Sequence, residues 1–180
     1  MTGSQVPSSQ DHPLRARALV ITASDRSARG ERPDRSGPLL VEALLALGLQ
    51  VDGPRVVPDG EPVRVALQEG VWAGYHLLVT TGGTGVSRTD RTPEMTRSVL
   101  DREIPGIAEA IRARGVSAGV PTAMLSRGLA GLAGDTVVVN LPGSTGAVRD
   151  GVAVLAPVLG HLLDQIAGGQ RRDAGHDDAG

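Results

Sequence analysis

Four short runs of consecutive apolar residues alternate with stretches whose apolar positions recur at helical spacing, and this alternation most limits how the chain can fold. The runs are Ala18–Ala23, Val51–Val57, His76–Thr80 and Thr136–Leu141. Pro38–Gly48 carries Leu40, Ala43, Leu44 and Leu47 on one helical face, with Gly48 suited to the position after the helix end. Glu61–Trp72 carries Val63, Leu67 and Val71. Ile104, Ile107, Ala108 and Ile111 mark another helix, with Gly115 as its expected stop. Val148–Ile166 is the last, with Val152, Leu155, Leu159 and Leu162 as its stripe and Pro157 expected to kink or break it.

Strands apolar at successive positions are buried on both faces, which requires helices above and below a mainly parallel sheet. The expected fold is therefore a three-layer α/β/α sandwich. Residues 16–167 form the expected domain, and the polar, aperiodic segments 1–15 and 168–180 read as disordered tails. His176, Asp177 and Asp178 are more simply tail residues than a metal cluster. Trp72 and Tyr75, the only aromatic residues, are expected in the core, with a subunit contact as the other place for them.

Composition removes several kinds of chemistry. Without cysteine there are no disulfides, thiolate metal sites or cysteine nucleophiles. All 18 basic residues are arginine, so no Walker lysine, Schiff base or lysyl adduct can form. A net charge of −2 and the scarcity of aromatic residues argue against nucleic-acid binding and membrane attraction. No apolar run is expected to approach bilayer length. The first residues lack the apolar centre of a signal peptide, so a cytoplasmic location is expected.

In open parallel sheets ligands sit beyond the carboxyl ends of the strands, and each unusual loop of this chain follows a strand. In TTGGTG, Gly82, Gly83 and Gly85 can turn backbone N–H groups toward an anion, with Thr81 and Thr84 as hydroxyl donors; a tight turn is the plain alternative. Arg88 and Arg91 flank this loop, and Thr92-Pro93-Glu94 reads as an N-cap and first helical turn beside it. Asp90 can pair with Arg88 or Arg91, or can hold Mg²⁺ next to a phosphate. Asp59 is expected at a neighbouring strand end, as a cap of the Glu61 helix or a second carboxylate for the same cation. Ser24 and Asp25 offer hydroxyl and carboxylate to the crevice or form a local turn. Asn140, Pro142, Gly143 and Ser144 end the fourth strand with backbone suited to close ligand approach. Arg127, after Ser126, can clamp a phosphate or lie solvated. His76, at a strand start, and His161, on a helix surface, have no ligand spacing, and no Ser-His-Asp arrangement can be assembled. Donors, arginines and aspartates suit phosphoryl or nucleotidyl transfer more than hydrolysis by a side-chain nucleophile.

In this order, ITASDR, VVPDGEP, TTGGTGVSRTDRTPE, DREIPG, PTAMLSRG and NLPGS resemble the molybdopterin adenylyltransferases of the Mog/MoaB family, which also occur as a domain of gephyrin and of plant molybdenum-insertion proteins. The resemblance spans about residues 16–167. It implies Mg²⁺-dependent transfer of AMP from ATP to molybdopterin, by a homotrimer or hexamer, in molybdenum cofactor synthesis, with a molybdenum-insertion protein as a further partner. It assigns Asp59 and Asp90 to catalysis and metal holding. The family's phosphate-contacting loop matches Thr81–Gly85, and two further motifs match Ser126, Arg127, Asn140, Pro142 and Gly143; Ser24, Asp25 and Ser144 join these substrate-binding candidates on their own chemistry. Gly60 departs from the pattern where many members carry Glu, although Glu61 follows at once. A non-catalytic molybdopterin-binding relative and a general nucleotide-hydrolysing α/β protein are the competing readings.

Overall fold

The structure, a computed structural model, describes residues 16–173. Its centre is a six-stranded sheet of order β2-β1-β3-β6-β5-β4, formed by β1 (Arg17–Ala23), β2 (Gln50–Val57), β3 (Leu77–Thr81), β4 (Arg102–Glu103), β5 (Ala130–Ala133) and β6 (Thr136–Leu141). The first four strands in that order run parallel, while β5 and β4 add an antiparallel edge. This edge is absent from the sequence reading. Two residues of β4 and the Gly-containing β5 are too short and too weakly patterned to announce themselves.

Alternate residues of each inner strand enter opposite cores, as the two-residue repeat of a strand requires. Val20, Leu77, Val79, Val137 and Val139 pack with Leu40 and Leu44 of α2 (Ser36–Ala46), Ile111 of α5 (Pro105–Ser117), and Leu155 and Leu159 of α6 (Thr145–Asp173). Leu19, Ile21, Leu78 and Val138 pack on the other face with Val63 and Leu67 of α3 (Glu61–Trp72), beside Met95 of α4 (Thr92–Arg97). Each such fully buried Leu or Val stabilises the fold by about 1.5–3 kcal/mol. The sandwich is thus three-layered, as expected. A short α1 (Asp25–Ala28) and a 3₁₀ turn at Pro121–Leu125 complete it.

β1 and β2 lose register between Leu19 and Ile21, because Gly53 and Pro54 together oppose Val20. A Cβ at Gly53 would stand 2.6 Å from the Val20 carbonyl oxygen. The bulge sits on an edge strand, where proline costs no central ladder bond.

Several expectations need correction. α6 runs through Pro157 without a break. It also takes in residues 168–173, which the sequence reading gave to the tail; segments 1–15 and 174–180, including His176, Asp177 and Asp178, lie outside the described residues. By length and composition Thr145–Gly168 is apolar enough to cross a membrane, contrary to the expectation that no apolar run approaches bilayer length. In the structure it lays Val148, Leu155 and Leu159 on the sheet. Gly115 does not stop α5: it lies inside the helix, where a Cβ would come 2.6 Å from that of Ala123, and Gly119, at φ +85, follows the end. Trp72 is 81% exposed rather than in the core. Tyr75 is half-buried, stacked under the Arg17 guanidinium and donating to Asp52 Oδ2 at 2.6 Å, a bond that raises the pKa of its phenol.

Candidate active site

From β1 the chain crosses to β2 on one side, whereas β3 and β6 lie on the other, so a crevice opens between the ends of β1 and β3. Gly82 is wedged there. Its N–H donates to the Leu141 carbonyl at 3.0 Å, its φ is +97, and a Cβ would meet the Ala23 carbonyl oxygen at 2.3 Å. Gly143 presses on it from the β6 loop, where a Cβ would be 3.2 Å from Gly82 Cα. Thr81 Oγ1 donates to the Pro142 carbonyl at 3.1 Å. Three strand ends therefore meet at a point where only glycine fits.

Gly83 follows with φ +63, its carbonyl accepting from Thr92 N–H at 3.1 Å. A Cβ here would stand 2.1 Å from Asp59 Oδ2 and 2.3 Å from Thr92 Oγ1. At Gly85 the corresponding point is 2.8 Å from Asp90 Oδ2. The two aspartates thus border the same loop, two residues apart. They do not come from adjacent strands, because β1 lies between β2 and β3. The link across is Asp25, whose Oδ1 accepts from Asp59 N–H at 3.0 Å. No acceptor among the described residues meets the N–H groups of Gly83, Thr84 and Gly85. Unpaired amides with positive φ at the loop start are what an anion-binding concavity needs.

Asp59 does not cap α3; Gly60, at φ +84, occupies that position. Asp59 Oδ1 instead accepts from Gly60 N–H at 2.7 Å and Arg91 N–H at 3.1 Å. Burial raises its pKa above the ordinary carboxylate value, the two amides oppose the shift, and the charges of Asp90 and Asp25 add to it. Asp90 Oδ2 accepts from Ser87 N–H at 3.0 Å, and none of the described ion pairs joins it to Arg88 or Arg91. Arg88 and Arg91 line an open cavity of about 450 Å³ together with Asp90 and Glu94. Thr92 is not the N-cap of α4, a place taken by Arg91. Its hydroxyl is the one buried side-chain polar atom without a partner among the described residues. Nor do three His, Asp or Glu side chains gather there as a self-sufficient metal cage.

Other expected contacts are hydrogen-bonded within the chain, and of them Asn140 and Thr84 are buried; Arg127, its side chain 38% exposed, also lines the cavity with Arg88 and Arg91. Asn140, 2% exposed, donates from Nδ2 to Thr80 Oγ1 at 3.0 Å and Thr96 Oγ1 at 2.9 Å, and accepts from Leu129 N–H at 3.1 Å. Ser126 Oγ and Thr84 Oγ1 share a bond of 3.2 Å. Arg127 donates to the carbonyls of Gly85 and Asp90, both at 2.7 Å, and pairs with Glu94. Ser24 caps α1 by accepting from Ser27 N–H, and Ser144 accepts from Ala147 N–H at the start of α6.

Another hollow, of about 350 Å³, lies against Thr81 and Gly82, bounded by Ser24, Gly143 and Ser144 and also by Thr22, Arg32, Asp34 and Arg35, which the sequence reading missed. Asp34 accepts from Thr22 Oγ1 at 2.7 Å, Ser36 N–H at 3.1 Å and Gly37 N–H at 3.0 Å, fixing the start of α2. Aspartate just ahead of a helix was the available signal.

Residues 19–161 match the family described as "Probable molybdopterin binding domain". The chain is 39% identical to a molybdopterin adenylyltransferase of Pyrococcus furiosus over 80% of this chain and 87% of that protein. It is 36% identical to a molybdenum cofactor biosynthesis bifunctional protein of Chlorobaculum tepidum, over 93% of this chain but only 53% of that longer protein. Among solved structures, the molybdopterin biosynthesis Mog protein from Mycobacterium ulcerans superposes with a TM-score of 0.81 at 52% identity, over 86% of this chain and 98% of that one.

Proposed function

The chain belongs to the molybdopterin-binding domain family, and from that premise we infer that it transfers AMP from ATP to molybdopterin in the synthesis of the molybdenum cofactor. The observation that carries the reading is the placement of Asp59 and Asp90 along Gly83–Gly85, whose amides are unpaired.

The terminal phosphate of molybdopterin is already an anion, so one of its oxygens can attack the α-phosphorus of ATP without a general base. One P–O bond forms there, the bond to the β-phosphate bridging oxygen breaks, and pyrophosphate leaves with the electron pair. What the protein must contribute is in-line placement and charge neutralisation. The glycine-loop amides would hold phosphate oxygens, with Arg88 and Arg91 facing the developing charge. Asp59 and Asp90 fit a divalent cation: burial and then the nearby charges of Asp90 and Asp25 resist the ionisation of Asp59, and a cation would relieve that. Mg²⁺ commonly takes only one or two carboxylates and completes its shell with water and substrate. When bound there it would neutralise the triphosphate. Ser24, Gly143 and Ser144, with Arg32 and Arg35, would border the second substrate in the smaller hollow.

A homotrimer or hexamer working in the cytoplasm, with a molybdenum-insertion protein as a partner, belongs to the same proposal. Exposed Val120, Met124 and Leu125 supply apolar surface for such an assembly.

Mixing the protein with ATP, Mg²⁺ and molybdopterin should release pyrophosphate, and Asp90→Asn should slow that release roughly 10²-fold or more while molybdopterin still binds. Binding with no pyrophosphate would make the protein a carrier. ATP consumption without molybdopterin would make it a hydrolase.

A further inference from the structure

Arg127 looks from sequence like a phosphate clamp, and its side chain, 38% exposed, lines the 450 Å³ cavity with Arg88 and Arg91, yet each of its three guanidinium nitrogens already has an acceptor within the chain. Its backbone N–H donates to the Thr84 carbonyl at 2.8 Å, Nε to the Gly85 carbonyl at 2.7 Å, and Nη2 to the Asp90 carbonyl at 2.7 Å, while Nη1 pairs with the Glu94 carboxylate. Gly85 and Asp90 stand at the two ends of an outward loop whose Val86 is 70% exposed. Little packing shapes that loop. Its form comes from Arg127 across the base and from the Arg91 and Thr92 N–H groups, which anchor its far end to Asp59 Oδ1 and the Gly83 carbonyl. Turn bonds inside add to this: Ser87 N–H to Asp90 Oδ2 at 3.0 Å, Asp90 N–H to the Ser87 carbonyl at 3.1 Å and Ser87 Oγ with Thr89 Oγ1 at 3.1 Å.

Arg127 is itself held. Arg112, on α5, donates from Nη1 to the carbonyls on either side of it, Ser126 at 3.3 Å and Gly128 at 3.2 Å. A Cβ at Gly128 would come 3.0 Å from the Asn140 carbonyl oxygen, so residues 126–128 lie tight against the end of β6. We propose that Arg127 is a positioning residue: braced by Arg112, it straps the loop so that the Asp90 carboxylate stays beside Gly85, and it does not grip phosphate. The proposal rests on the adenylyl-transfer reading for its link to activity. The planar guanidinium serves three separate acceptors at once, which a lysine ammonium on a single flexible stem cannot reproduce. Turning it toward a ligand would break the bond to Asp90 or to Glu94.

The strap and the clamp differ in how Glu94 behaves. If Arg127 gripped phosphate, Glu94→Gln would free it and leave AMP binding unchanged or tighter. Arg127→Gln would then weaken AMP binding without Mg²⁺ by tenfold or more. As a strap, Arg127→Gln, Arg127→Lys and, more mildly, Glu94→Gln should all raise the Mg²⁺ concentration for half-maximal pyrophosphate release and lower kcat. AMP affinity measured by calorimetry without Mg²⁺ should stay within about twofold. Amide hydrogen exchange at 86–91 should speed up in the same order of variants, with the sheet unchanged. Opposite responses in Glu94→Gln and Arg127→Lys, or loss of Mg²⁺-free AMP binding, would overturn the strap. Should Arg127→Gln not fold, Glu94→Gln with exchange and AMP affinity decides alone. If the wild type releases no pyrophosphate, the adenylyl-transfer reading fails, while exchange and AMP binding still judge the strap.

Discussion

Asn140 and Asp59 are both short polar residues at or just beyond a strand end, Asn140 bonded to Thr80 two residues before the glycine loop and Asp59 against Gly83 within it. Their surroundings differ. Every polar atom of Asn140 is engaged by Thr80, Thr96 and Leu129, deep under the loop. Asp59 binds two amides through Oδ1 but leaves Oδ2 facing Gly83, in a setting that resists its ionisation. The first belongs to a frame whose hydrogen bonds close on themselves. The second belongs to a rim with capacity left for a ligand. A polar residue at a strand end marks a site only if some of its hydrogen-bonding capacity remains open, and that depends on its neighbours.

The most severe test of the rim is Gly83→Ala. The new Cβ would collide with Asp59 and Thr92, and a non-glycine residue at positive φ adds about 1–3 kcal/mol of strain. AMP transfer should fall roughly 10²-fold or more even where circular dichroism shows a folded protein, since displacement by about 1 Å suffices for such a loss. Near-normal turnover would erase the distinction between rim and frame.

Asn140→Ala should do the reverse. It strips the Leu129 N–H and two threonine hydroxyls of their partner, at about 2–4 kcal/mol in urea denaturation. The KM for ATP in the surviving folded protein should hardly move. A large rise in that KM would place Asn140 on the rim.

The smallest effect concerns Asp59→Asn, which should lose activity without losing stability. The folded-state pKa of Asp59 lies above the unfolded one, so its ionisation favours the unfolded chain. That penalty is absent below the unfolded pKa, grows as pH rises, and is complete above the folded value. The melting temperature of Asp59→Asn should therefore match or exceed the wild type at pH 7, with any advantage gone by about pH 3. A variant less stable at pH 7 than at low pH, relative to wild type, would contradict this sign.

Much of the fold was legible because the inner strands β1, β3 and β6 are apolar at successive positions, and only a sheet covered on both faces buries them. Thr136–Leu141 and Glu61–Trp72 coincide with the observed elements to the residue. The antiparallel edge was not legible: Arg102-Glu103 is strand by pairing with β5, which no local pattern encodes. The exposed Trp72 misled because a large aromatic side chain is more often buried than not. In the site, the glycine loop and the two aspartates could be picked out by type. That Asn140 is buried, that Arg127 is tied to the carbonyls of its neighbouring loop, and that Asp34 and Arg32 reach the same crevice, could not.

By itself the sequence determined the layered sheet, the glycine positions where strand ends converge, and a residue set confined to carboxylates, guanidiniums, hydroxyls and amides. Those follow from periodicity and from side-chain chemistry, which are local properties. Only the tertiary structure decided which polar groups are already satisfied and which stay open, because deciding partners such as Asp25 and Arg91 for Asp59 and Thr80 for Asn140 come from positions 32 to 60 residues away.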